Sequence, residues 1–178
     1  FLRYAWAPDR WPSERLAEFE RLWAAREFGA EHADEVADLI ATYTKYNSWR
    51  KPEMLSPTTF SLVNYGEAGR VVAGWKALVS RAETLGAKLP AASQAAYFQL
   101  VLWPIKACAI VNELYVEAGK NRLYAAQGRA SANDAADRVE QGGDQARTGA
   151  TRSRNDVGRC EPDGQGTTGE RETGRESS

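Results

Sequence analysis

The chain has 178 residues, and its 23 Lys and Arg nearly balance its 24 Asp and Glu, a size that allows one domain or one compact domain with a tail. That balance excludes a general nucleic-acid binder, which carries cations in excess to neutralise phosphates. Two cysteines, Cys108 and Cys160, cannot make a disulfide framework, and one histidine, His32, excludes multi-histidine zinc sites.

Phe1 stands where a Met would start a complete chain, and no leader-like pattern follows it, so a trimmed or partial chain is expected. After Trp11-Pro12, Ser13 is placed to cap a helix in which Leu16, Phe19, Leu22 and Trp23 recur at spacings of three and four. Gly29 should end it. A second helix from about Ala30 carries Val36, Leu39, Ile40, Tyr43 and Tyr46 on one face. Its early Glu31, Asp34, Glu35 and Asp38 suit the positive end of the helix dipole. Pro52 requires this helix to stop. Lys51 to Asn64 reads as a loop. A third helix, from about Tyr65 to Gly86, turns Val71, Val72, Trp75, Leu78, Val79, Ala82 and Leu85 inward, and its glycines predict a closely packed neighbour.

Pro90 suits the start of a fourth helix, apolar from Tyr97 to Val111 except for Gln99 and Lys106, with Pro104 expected to bend it. No stretch approaches about 20 uncharged apolar residues, so a buried central helix is expected rather than a membrane span. This helix continues or restarts to Gln127, Gly128 ends it, and Ser131 or Asn133 caps a last one stopping near Glu140. The 38 residues from Gln141 to Ser178 hold 8 of the 15 glycines and none of the 18 aromatics, so they are expected to be disordered. A shifted reading frame near Gln141 would explain so abrupt a change. The fold predicted is all-α, a helical bundle of about four to five helices with a disordered C-terminal tail.

His32 with Glu31 and Glu35 reads as a solvated acidic face, and no metal or other cofactor is expected. Lys106 reads as a stem lying on apolar surface, and Cys108 as a small core residue. The segment Tyr46-Asn47-Ser48-Trp49-Arg50-Lys51-Pro52-Glu53 is denser in chemistry. Its rings can stack on sugar C–H faces, and Arg50 can fork onto a carboxylate. Alternatively, Tyr46 and Trp49 close the end of the bundle while Arg50 and Lys51 stay solvated.

From this loop outward the sequence resembles glycoside hydrolase family 115, the xylan α-glucuronidases, over about 140 residues. The matching stretches include Tyr4 to Trp11, Tyr46-Asn47, Arg50-Lys51-Pro52-Glu53, Thr59-Phe60-Ser61-Leu62 and Asn64-Tyr65-Gly66-Glu67-Ala68. Tyr97 to Val101 with Pro104, Asn112-Glu113-Leu114-Tyr115 and Asn121 to Arg129 continue the pattern. Trp49 departs from it, standing where a basic residue is expected.

The resemblance implies a longer enzyme, with a (β/α)8 barrel, a helical bundle and further β structure. Residues 1–29 would be the end of the barrel, 30–140 the bundle, and 141–178 the tail. Such an enzyme removes 4-O-methyl-glucuronic acid from glucuronoxylan or aldouronic acids with inversion, using an acid and a base roughly 6.5–9.5 Å apart. That pair would lie upstream of Phe1, so this chain carries no catalytic residue and should be inactive alone. Asn47, Arg50 and Lys51 are the expected substrate contacts. The full-length enzyme would be periplasmic or secreted, and a homodimer is a further expectation for it. Nucleic acid and membrane are not expected partners. The competing reading is a stand-alone helical interaction module without enzymatic activity, although no repeat of solenoid length appears.

Overall fold

A computed structural model describes residues 5–157. After short 3-10 turns come α1 (Leu16–Phe28), α2 (Ala33–Trp49) and α3 (Glu67–Gly86). They are followed by α4 (Ala91–Tyr97), a π-helical turn (Phe98–Leu102), α5 (Trp103–Ala126) and α6 (Ala132–Val157). Because α4, the π turn and α5 run on as one helix, the described residues form a bundle of five helices and contain no strand. The all-α expectation holds.

Local chemistry accounts for most boundaries. Gly29 leaves α1 at φ 92° and Gly128 follows α5 at φ 65°, both in the region glycine enters without a Cβ penalty. Ser13, expected to cap α1, instead bonds the adjacent Glu14 carboxylate, because residues 13–15 form a 3-10 turn ahead of the helix. The π turn sits directly before Pro104, which has no N–H to give the preceding turn, so a widened turn accommodates the proline without a break.

The core lies where α1, α2 and α3 meet the long helix. Phe28 sets its ring against Tyr97 (centroids 5.6 Å, edge-on), and the Tyr97 hydroxyl donates to the Ala82 carbonyl at 2.8 Å. Trp75, 2% exposed, is the largest fully buried side chain. Gly74 brings α3 close to α2: a Cβ there would lie 3.1 Å from the Tyr46 hydroxyl. That is the packed neighbour the glycines predicted, although nothing crowds Gly66 or Gly69.

Exposed or half-exposed ion pairs cross the α1–α2, α2–α3 and α3–α5 seams: Arg21–Asp34, Arg81–Asp38, Lys76–Glu113 and Lys106–Glu83. Each contributes little energy, about 0–1 kcal/mol, and together they fix register. Lys106 thus ends on a carboxylate of α3. As one continuous 36-residue helix, Ala91–Ala126 is long and apolar enough to meet the length and composition test for a membrane span, which its shorter apolar runs hide. Its polar groups are spent inside the bundle, Gln99 on the Ser153 carbonyl and Asn112 on the Cys108 carbonyl.

The chain beyond Gln141 departs from expectation. Residues 141–157 continue α6 along α5 rather than lacking structure, and the rest of the expected tail, 158–178, lies outside the described residues. The physical reason is a row of small residues. A Cβ at Gly149 would fall 1.8 Å from the Trp103 ring, and one at Gly142 would touch Ile110. The large apolar groups of this seam come from α5, so α6 needs few of its own.

Glu117 of α5, with a side chain 5% exposed, binds Lys120 at 2.6 Å and Arg138 of α6 at 2.7 Å. Burial, the largest single influence, pushes its carboxyl up, but the hydrogen bonds and charges of Lys120 and Arg138 together hold it below its ordinary value. The cluster therefore stabilises fully above the unfolded carboxylate value of about 4.3, and loses that contribution as pH falls through the lower folded value. The melting temperature should fall as pH drops from about 5 to 3, and Glu117→Gln should flatten that fall. Parallel profiles for the two proteins would refute the assignment.

Candidate functional site

The segment between α2 and α3 is built almost wholly from hydrogen bonds to its own backbone. Arg50 leaves helical angles (φ −157°, ψ 126°), Lys51 stays extended ahead of Pro52, and Pro52–Met54 forms a 3-10 turn. The Arg50 Nε donates to the Met54 carbonyl at 3.2 Å. The Thr59 hydroxyl accepts from the Ser56 N–H at 2.8 Å, and a Glu67 carboxylate oxygen accepts from the Ser61 N–H at 2.7 Å. Tyr65 has φ 54°, the one described non-glycine residue with a positive φ, and it is 90% exposed. Strain of this kind persists where the surroundings hold it, and here the Arg70 guanidinium donates to the Tyr65 carbonyl.

Folding the loop back over α3 leaves a groove of about 270 Å³ lined by Tyr46, Trp49, Phe60, Glu67 and Arg70, among others. Tyr46 and Trp49 stack with centroids 4.6 Å apart, and Tyr46 also meets Trp75 edge-on at 5.2 Å. Trp49 is therefore held from behind while 51% exposed. Tyr46 and Trp49 close this end of the bundle, and Trp49 keeps part of its ring surface exposed.

The three expected contacts do not share one surface. Arg50 and Lys51 are exposed at the end of α2. Asn47 turns inward, donating from Nδ2 to the Cys108 sulfur at 3.7 Å, and its Oδ1 is buried with no hydrogen-bond partner among the described residues. The Cys108 thiol also reaches the Tyr43 hydroxyl at 3.8 Å. Burial pushes the Tyr43 hydroxyl up to about 12, helped by Cys108, and burial likewise raises the thiol, so both stay protonated at neutral pH. Cys108 is a core thiol, as expected.

Sequence reasoning missed Phe60, Arg70 and Glu117. The first two reach the groove only because the loop turns back at Tyr65-Gly66, and Glu117 meets Arg138 across 21 residues of chain. A signal existed for Arg70, which stands one helical turn beyond Gly66. Among the described residues no group of three or more His, Cys, Asp or Glu is placed to hold a metal.

Residues 1–54 match the model of glycosyl hydrolase family 115, a segment of under a third of the chain that takes in α1, α2 and the turn at Met54. No curated protein matches the chain.

Proposed function

We propose that this chain is the helical part of a glycoside hydrolase that removes 4-O-methyl-glucuronic acid from glucuronoxylan or aldouronic acids. The observation that carries this reading is the family match over residues 1–54, which ends on the turn whose carbonyl holds Arg50. In this reading the catalytic acid and base belong to a barrel against which the bundle packs. Arg50 and Lys51 contact the acidic substrate, and Asn47 acts through the core by anchoring the end of α2 to Cys108. The half-exposed Leu16 and Leu22 of α1 and the outward Trp6 are surface that a barrel would cover. They also favour the second reading, a helical interaction module that offers this surface to another protein.

The purified chain should release no uronic acid from glucuronoxylan. Fused to the barrel of a family 115 enzyme in place of that enzyme's own helical region, it should support release. In that fusion Arg50→Ala should lower kcat/KM by about tenfold or more, the loss of one charge-assisted hydrogen bond. Turnover by the chain alone, or unchanged kinetics in the variant, would overturn the corresponding part of the reading.

A further inference from the structure

We propose that the cavity between the long central helix and α6 binds a neutral, planar aromatic molecule of one or two fused rings. Phe98, Trp103 and Ile110 line it on one side, and Gln145, Thr148 and Gly149 of α6 on the other. None of these residues belongs to the groove beside Trp49, so the site stands apart from the hydrolase reading.

Three observations carry it. The first is size: the cavity encloses about 420 Å³, inside the range of roughly 300–1,000 Å³ that small-molecule sites occupy.

The second is how the aromatic wall is built. In an α-helix, residues five apart point about 140° from one another. The Trp103 N–H instead donates to the Phe98 carbonyl across the π turn, and this wider turn brings both rings to one side. They lie nearly parallel, with 18° between planes and centroids 6.3 Å apart. The benzene edge of Trp103 abuts the bare backbone of Gly149, which has no Cβ to displace it. Both rings are thus set before a ligand arrives, and little ordering remains when one binds.

The third observation is the state of the polar groups at the rim. Lys106 ends on Glu83, Asp144 on Arg147, and the Arg152 guanidinium lies over the Phe98 ring at 4.2 Å. The Thr148 hydroxyl donates to the Asp144 carbonyl at 3.0 Å. Each charged group is already engaged within the protein, so an ionic ligand meets no unmatched charge. Gln145 differs, since among the described residues its amide makes no hydrogen bond. One amide can serve one hydroxyl on a ring. A sugar, hydroxylated all round, would lose more hydrogen bonds to water than this lining returns.

Isothermal titration of the whole 178-residue chain is the test, with 2-naphthol, its saturated counterpart 2-decalol, the anion 2-naphthoate and D-glucose as probes. 2-Naphthol should bind roughly tenfold more tightly than 2-decalol, the gain of an aromatic contact beyond buried area. 2-Naphthoate should bind more weakly than 2-naphthol, and glucose should give no heat of binding. Thr148→Phe, at an exposed position of α6, should fill the cavity and abolish binding while the melting temperature holds. Trp103→Leu should erase the preference for the flat ring. Gln145→Leu, on the surface and safe for folding, should weaken 2-naphthol by up to about tenfold.

Absence of 2-naphthol binding, equal affinity for 2-decalol, or tighter binding of 2-naphthoate or glucose would overturn the proposal. So would 2-naphthol binding undiminished in Thr148→Phe or in Gln145→Leu.

Discussion

Truncating Trp75 to Ala should lower the unfolding free energy by about 3–5 kcal/mol, the range for removing a fully buried large aromatic. The ring is 2% exposed and takes the edges of Tyr43 at 6.3 Å and Tyr46 at 5.2 Å, so its loss leaves a hole between α2 and α3 that backbone movement can only partly close. The damage should extend to the site, because Tyr46 would lose the wall that holds it under Trp49. Urea unfolding checks the first effect, and the fluorescence of the remaining tryptophans in the folded variant checks the second. A loss below 1 kcal/mol would mean that α2 and α3 do not pack as described.

Gly119→Ala is the second large effect, for the opposite reason. A Cβ at this position of α5 would lie 2.4 Å from the Pro57 carbonyl oxygen and 3.2 Å from Leu62 Cδ1. The leucine can turn aside, but the carbonyl belongs to backbone, so either the loop or the helix must move. Overpacking of this kind costs about 1–3 kcal/mol. Displacing the 55–62 loop should also make it a faster target for proteolysis. Gly69→Ala is the control: nothing lies within 4 Å, and in the first turn of α3 the change should stabilise by up to about 0.5 kcal/mol. If both alanines behaved alike, the close approach of loop and helix would be refuted.

Four of the five helices could be read from residue spacing, because α1, α2, α3 and the long central helix bury large side chains of their own at intervals of three and four. The extension of α6 could not. Gly142, Ala146, Gly149 and Ala150 fall at helical spacing too, but they contribute room rather than apolar area, and the burial at that seam belongs to Trp103 and Ile110. Composition counts missing bulk as missing structure, and here the partner supplies the bulk.

The same division runs through the site. Tyr46, Trp49, Arg50 and Lys51 are adjacent in sequence, so their juxtaposition needed only a helix end. Asn47 differs because helical geometry turns consecutive residues to different faces, and position 47 falls on the side of Cys108. Phe60 and Arg70 enter only through a left-handed step at Tyr65-Gly66, which loop composition hints at but does not locate.

The widened turn at Phe98–Leu102 has a consequence for how the central rod is phased. A π turn accommodates one residue more than the α-helical count, and each residue of an α-helix advances about 100° around the axis. Upstream of the insertion, Tyr97 looks toward Phe28 and Ala82; downstream, Cys108 looks toward Tyr43 and Glu117 toward Arg138. A single regular spiral would aim one of these sets away from its partners. The extra residue thus works as a coupling set at an angle, letting one shaft mesh with two differently oriented gears.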